Sequence, residues 1–253
     1  MFTLKSLNTL IVKYAILFIK ICDKPNQIET EVLSMQNEEL QNLKKSLPMV
    51  PGIQGIDEYM HAAVLVLLLP IENEYHFLLQ KRSAFISQAG EICFPGGKYD
   101  PQKDISLRQT ALRETEEELG LCSDKISIIG QLDTLVVPLG KTIDTFIATA
   151  DYTLADIKSN PAEVEHAFTL PISFFEKNPP STYNVILKNH PSYINHLNEE
   201  VQLLPARELG LPEQYQKPWG QFRQRIFTYQ TNEGVIWGLT ARIIRDICCK
   251  LLP

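Results

Sequence analysis

Residues Phe94–Leu121 read FPGGKYDPQKDISLRQTALRETEEELGL, a twin-glycine turn followed one helix-length later by a run of carboxylates. At about 100° per residue, Leu107, Ala111, Leu112, Thr115 and Leu119 fall within an arc of roughly 140°, the face such a helix would bury. Glu114 and Glu118 are four residues apart and share one border of that arc, with Glu117 beside them and Glu116 pointing away. Like charges on adjacent turns repel, so the helix alone gains nothing from this grouping. A divalent cation reverses the argument. Mg²⁺ takes hard oxygen ligands, often one or two carboxylates together with substrate phosphates and waters, and carboxylates at i and i+4 converge without any loop having to order. Gly96-Gly97 have no Cβ to keep backbone away from a phosphate or metal, and Arg113 is placed to brace the carboxylates by charge-assisted hydrogen bonds.

Outward from this segment, helical periodicity runs from Ile105 to Leu119, with Asp104 as the expected cap and Gly120 as the stop. Upstream, Ala62–Leu69 (AAVLVLLL) is a continuous apolar run ending at Pro70, short enough to be a strand buried on both faces. Tyr75–Gln80 completes a hairpin with it, and Arg82–Gly97 reads as a loop. Downstream, Ile126–Leu132 and Ile143–Ala150 read as strands, and Pro171 breaks the segment Glu163–Phe175. Arg223–Tyr229 and Val235–Trp237 form a late hairpin around Asn232-Glu233-Gly234, and a helix over Leu239–Leu252 closes the chain. Helices and strands mix without strict alternation. The expected fold is therefore α/β of the α+β kind, a mixed β-sheet sandwiched between helices, rather than a doubly wound parallel sheet. One domain over residues 58–253 is expected, with a variable insertion around 178–220 and an N-terminal extension over 1–50 that ends in a short polar helix, Gln36–Ser46.

From Gly97 to Leu121 the chain resembles the Nudix box, in which Gly and Glu precede Arg-Glu-aliphatic-x-Glu-Glu-x-Gly-aliphatic. Arg113, Glu114, Glu117, Glu118, Gly120 and Leu121 match in register. Thr115 stands where an aliphatic residue is usual, Gly97 lies two residues further from Arg113 than in the pattern, and Ile105 occupies the middle Glu position. Phe94-Pro95-Gly96-Gly97 with Asp100, Leu78-Leu79-Gln80-Lys81-Arg82-Ser83 with Gly90, and Ile236-Trp237-Gly238-Leu239-Thr240-Ala241 resemble the coenzyme A pyrophosphatase branch. The spacer before the glycines is one residue short of that branch, with Ser87-Gln88 where its Arg is expected.

The resemblance implies a Nudix-type α/β/α sandwich and a metal-dependent hydrolase of a nucleoside diphosphate linked to a further group. Coenzyme A, or an acyl form of it, is the leading substrate, cut to 3′,5′-ADP and 4′-phosphopantetheine. It implies Glu114 and Glu118 as ligands of Mg²⁺ or Mn²⁺, with Glu117 a third ligand or the holder of the attacking water. Such an ion would neutralise charge that repels a nucleophile and lower the pKa of a ligated water. Glu163, in Pro161-Ala-Glu-Val-Glu-His166, is the candidate general base, with a solvated loop carboxylate as the alternative. Arg82 suits bidentate grip of a phosphate, with Ser83, Gly96 and Gly97 as further substrate contacts and Lys81 and Lys98 as weaker candidates. His166 and Cys93 read as packing or surface residues and Trp237 as a core anchor. A Nudix hydrolase of ADP-ribose or a nucleotide sugar, and a non-catalytic nucleotide-sensing module, remain as alternatives.

The rest of the sequence bounds partners and compartment. Of 253 residues, 24 are Lys or Arg and 30 Asp or Glu, and the net charge of −6 argues against a protein that tracks nucleic acid through bulk charge. Five cysteines without a Cys-x-x-Cys pair point to a reduced, cytoplasmic chain with neither a disulfide scaffold nor a structural zinc site. In Leu4–Cys22, Lys13 and Lys20 leave no apolar run long enough to span a bilayer, which argues against membrane contact by this leader. Met35 is an alternative start, and the oligomeric state is not encoded in any motif.

Overall fold

The continuous apolar run becomes strand β1, Met60–Ile71, whose two faces supply two different cores. In this computed structural model, which describes residues 37–138 and 140–251, Ala63, Leu65, Leu67 and Leu69 point to one side and Val66 and Leu68 to the other. That alternation explains why no polar residue interrupts the run. The chain divides into two units, Met1–Ile56 and Asp57–Pro253. In the first, residues 37–46 are helical and exposed; the expected leader lies outside the described residues.

In the second unit, β2 (Glu74–Arg82), β3 (Ile92–Cys93) and β4 (Gly96–Lys98) precede helix α1 (Leu107–Leu119). Then come β5 (Ser127–Gln131), β6 (Leu135–Val137), β7 (Lys141–Thr149), β8 (Val164–Pro171) and helix α2 (Ile172–Lys177). After β9 (Ser181–Asn189), β10 (Ser192–Ile194) and β11 (Glu200–Gln202), the chain ends in β12 (Trp219–Thr231), β13 (Gly234–Trp237) and helix α3 (Gly238–Leu251).

The main sheet runs β3-β2-β1-β7-β5, with β4 beside β1, β6 beside β7 and β8 beside β2. β1 and β7 are parallel and the other pairs antiparallel, so the sheet is mixed. Helix α1 packs Ala111 and Leu119 on the Leu65 face, and α3 packs Ile243, Ile244 and Ile247 on the Val66 face. This is the expected sandwich. Each fully buried Leu contributes about 1.5–3 kcal/mol over an exposed one.

Several expectations shift. Pro70 does not end β1, which continues to Ile71. Leu65 N–H donates to Pro95 on the β2/β4 side, so the missing N–H of Pro70 faces the opposite side, where pairing with β7 has stopped at Leu68. The helix begins at Leu107 rather than Ile105, capped by Ser106, whose side chain accepts from the Gln109 N–H. The stretch expected to be a variable insertion contains the nine-residue strand β9, paired with β12, and these two with β13 form a separate three-stranded sheet. Trp237 is 45% exposed and so is no core anchor.

Candidate active site

Helix α1 is fixed at both ends, and this fixes its carboxylates. Gly120 at φ 68° closes the C-terminus, donating its N–H to the Glu116 carbonyl. Lys158 and Asn160 N–H donate to the carbonyls of Leu119 and Glu118 in the last turn. Thr115, the departure from an aliphatic position, is fully buried and donates its hydroxyl to the Ala111 carbonyl at 2.7 Å, so the helix tolerates it without an unsatisfied group.

Glu118 is only 3% exposed. Its Oε2 accepts from Gln80 Nε2 at 2.9 Å and from the Gly96 N–H at 3.0 Å. Burial outweighs both bonds and pushes its pKa up to about 7, with the neighbouring Glu114 charge adding to the rise and Arg82 opposing it. Glu114 lies against the second glycine: a Cβ on Gly97 would come within 2.6 Å of both its carboxylate oxygens. Gly96 is as tightly placed, since a Cβ there would collide with the Ala63 carbonyl and Val64. Gly97 thus admits Glu114, while Gly96 lets its strand close onto β1 with its N–H aimed at Glu118.

Arg113 organises the other side. Its Nε and Nη2 donate to Asp104 at 2.8 and 2.9 Å, and its Nη1 donates to Glu114 at 2.7 Å and Glu117 at 2.9 Å. Asp104 is buried, accepts also from the Thr110 hydroxyl, and is held down to about pKa 2, first by the Arg113 bond. Asp104, expected as a helix cap, is instead the anchor of this arginine. Burial also raises the pKa of Glu114, with Arg113 working against it and Glu117 and Glu163 adding to it. Glu163 is therefore within electrostatic reach of the cluster, on the turn that leads into β8 beside the end of β2.

The remaining sequence candidates divide. Arg82 donates from Nε to the Ser87 carbonyl, and its charge is felt at Glu118 and Cys93. Ser83 is 3% exposed and donates its hydroxyl to Ala162, so it braces the loop before Glu163 rather than offering a free substrate contact. Gly97 lies against the Glu114 carboxylate, and the Gly96 N–H donates to Glu118, so both glycines stand beside the carboxylates. Lys81 pairs with Glu165, and His166 bonds Glu233. The thiol of Cys93 is pushed up by burial, as expected of a packing residue. Gln80 was missed. A glutamine two residues along from Leu78 on a strand facing the α1 core is the signal that could have found it.

Among the described residues no three His, Cys, Asp or Glu side chains converge as they stand tightly enough to hold an ion. Arg113 engages Glu114 and Glu117, while both donors to Glu118 reach its Oε2. Glu118 Oε1 and Glu114 Oε2 have no hydrogen-bond donor among the described residues, and the buried Oε1 of Gln80 has none either. Hard oxygens, a carboxylate whose ionisation burial suppresses, and an orphaned acceptor beside it suit a hydrated divalent cation.

Residues 60–186 match the model of the NUDIX domain. An uncharacterized Nudix hydrolase, NudL, of Photorhabdus laumondii is 33% identical over 194 residues, which cover 76% of this chain and 84% of that protein. The chain belongs to the Nudix family. Nudix hydrolases are pyrophosphohydrolases that use divalent metal ions, and this chain is an enzyme of that class. It is also 32% identical over 114 residues to the peroxisomal coenzyme A diphosphatase NUDT7 of Mus musculus, across 45% of this chain and 48% of that one. Among solved structures it is similar to the Nudix hydrolase RenU of M. smegmatis, at 24% identity and a TM-score of 0.40 over 47% of this chain and 74% of that one. Among the described residues no helix is long and apolar enough to cross a membrane.

Proposed function

We propose that this Nudix enzyme hydrolyses coenzyme A, or a closely related nucleoside diphosphate conjugate, to 3′,5′-ADP and 4′-phosphopantetheine. The observation that carries the reading is the pair of carboxylates seated on the two glycines of Phe94-Pro95-Gly96-Gly97, with Arg82 charged beside Glu118. The similarity to a protein named as a coenzyme A diphosphatase supports the substrate choice. In this reading Glu114 and Glu118 hold Mg²⁺ or Mn²⁺, and Glu117 completes the set or steadies the attacking water. The ion supplies charge neutralisation at the pyrophosphate.

The chain's own residues do the rest. Arg113 keeps Glu114 and Glu117 oriented, Gln80 and the Gly96 N–H keep Glu118 turned inward, and Arg82 grips a substrate phosphate. Glu163 takes the proton of the attacking water as its oxygen bonds to phosphorus and the bridging P–O bond breaks. Positioning is the main contribution asked of the protein, since phosphoryl transfer needs little covalent help.

The test is incubation of purified protein with Mg²⁺ or Mn²⁺ and coenzyme A, ADP-ribose or a nucleotide sugar, with products identified by chromatography. Release of 3′,5′-ADP is expected. Cleavage of only the other compounds moves the chain to a different Nudix substrate, a reading favoured by Ser87-Gln88 in the spacer. No turnover of any of them, with nucleotide binding retained, makes it a sensing module.

A further inference from the structure

On the other side of the main sheet, β12 and α3 carry a concentration of positive charge that hydrolysis at the carboxylates does not use. Arg223 and Arg225 share a strand face with Phe227, and Arg242 and Arg245 rise one helical turn apart from α3. The guanidinium carbons of Arg242 and Arg245 lie 5.4 and 4.8 Å from the Phe227 ring centre, so one buried ring supports both. The four arginines line a cavity of about 510 Å³, with Phe222 at its edge, 59% exposed. The β6 strand forms another wall.

Among the described residues none of the four has a carboxylate within 4.0 Å. Among the described residues, the one side-chain hydrogen bond any of them makes to protein is from Arg242 Nη2 to the Arg225 carbonyl at 2.9 Å. Four permanent cations face one cavity without a counter-charge among the described residues, in a chain of net charge −6, an arrangement that a bound anion would relieve. Planar guanidinium forks match phosphate oxygens, and an exposed aromatic ring at the edge suits a base.

We propose that this cavity is a second binding site, for a nucleotide carrying a phosphomonoester. It stands whichever pyrophosphate substrate the carboxylate site takes. Its place is set by register: Lys98 pairs with Ala62, Ala62 with Ile143, and Ile143 with Leu135. Three strand spacings, roughly 14 Å, therefore separate the cavity's Leu135 from the strand that carries Gly97. The phosphate belongs either to the far end of a substrate reaching across the sheet or to a separate nucleotide.

Calorimetric titration of the full chain with adenosine 3′,5′-bisphosphate, in EDTA so that no metal contributes, tests the site. Saturable binding is expected, weakened about tenfold or more in R223Q/R225Q, weakened further by salt, and unchanged in Glu114→Gln. Both substituted arginines are exposed strand residues, and circular dichroism checks that the variant folds. Absence of saturable binding, or equal affinity in R223Q/R225Q and the unsubstituted protein, overturns the proposal. Where binding is lost as expected, turnover identifies the source. A KM raised for coenzyme A but not for its 3′-dephosphorylated form assigns the phosphate to the substrate. A KM unchanged for both assigns it to a separate nucleotide.

Discussion

Helices α1 and α3 flank the same sheet and solve opposite problems. Helix α3 packs Ala241, Ile243, Ile244, Ile247 and Cys248 inward and keeps its charges at the margin, as packing alone would have it. Helix α1 buries a glutamate among its core residues, sets a second against a glycine, and needs Arg113, Gln80 and two glycines to hold them. The contrast teaches that the site lies where a helix departs from its packing pattern and neighbouring residues are built around the departure.

The largest expected effect attacks that departure directly. Glu114→Gln should lower kcat on the order of a thousandfold, about 4 kcal/mol, with an unaltered circular dichroism spectrum. Full activity would sink the assignment of the metal to this helix. Next is Arg113→Ala, which leaves Asp104 buried and unpaired. Chemical denaturation should show a loss of about 3 kcal/mol, and a value near zero would mean that the arginine braces nothing.

The third prediction concerns pH. Glu118 has its folded pKa raised from 4.5 to about 7, so between those values the folded protein binds the extra proton. Stability of the metal-free enzyme should therefore be highest below about pH 4.5 as far as this group is concerned, and should fall as pH rises to about 7, by on the order of 3 kcal/mol. Thermal melts across that range in EDTA check it, and Glu118→Gln should abolish the slope. Metal affinity should move the other way, since binding requires the ionised carboxylate. The smallest effect belongs to the other helix. Arg245→Ala removes a guanidinium from Phe227 and should cost about 1 kcal/mol or less by denaturation. A large loss there would erase the distinction between the two helices.

The sandwich and the acidic face of α1 were legible because both follow from periodicity: an unbroken apolar run for β1, and a wheel that sets Glu114 and Glu118 at one border. What escaped depends on chain that is distant in sequence. Asp104 looks like a cap from its place before the helix, and only the folded position of Arg113 makes it an anchor. The real cap was written in Ser106-Leu107-Arg108-Gln109, a serine followed three residues later by a glutamine, and Gln109 does reach back to the Ile105 N–H at 2.7 Å. Strand β9 was hidden because its residues are mostly exposed and so carry no alternation to read. The four arginines drew no attention because they come from two elements, β12 and α3, that the sequence does not set side by side.

Asn160 donates its N–H to the Glu118 carbonyl and accepts from the N–H groups of Glu163 and Val164. The candidate base and the innermost ligand are therefore mounted on one short relay of peptide groups. If that end of the helix shifts as a substrate arrives, the base is carried along with it. Alignment between proton acceptor and cation would then survive motions that alter the rest of the cleft.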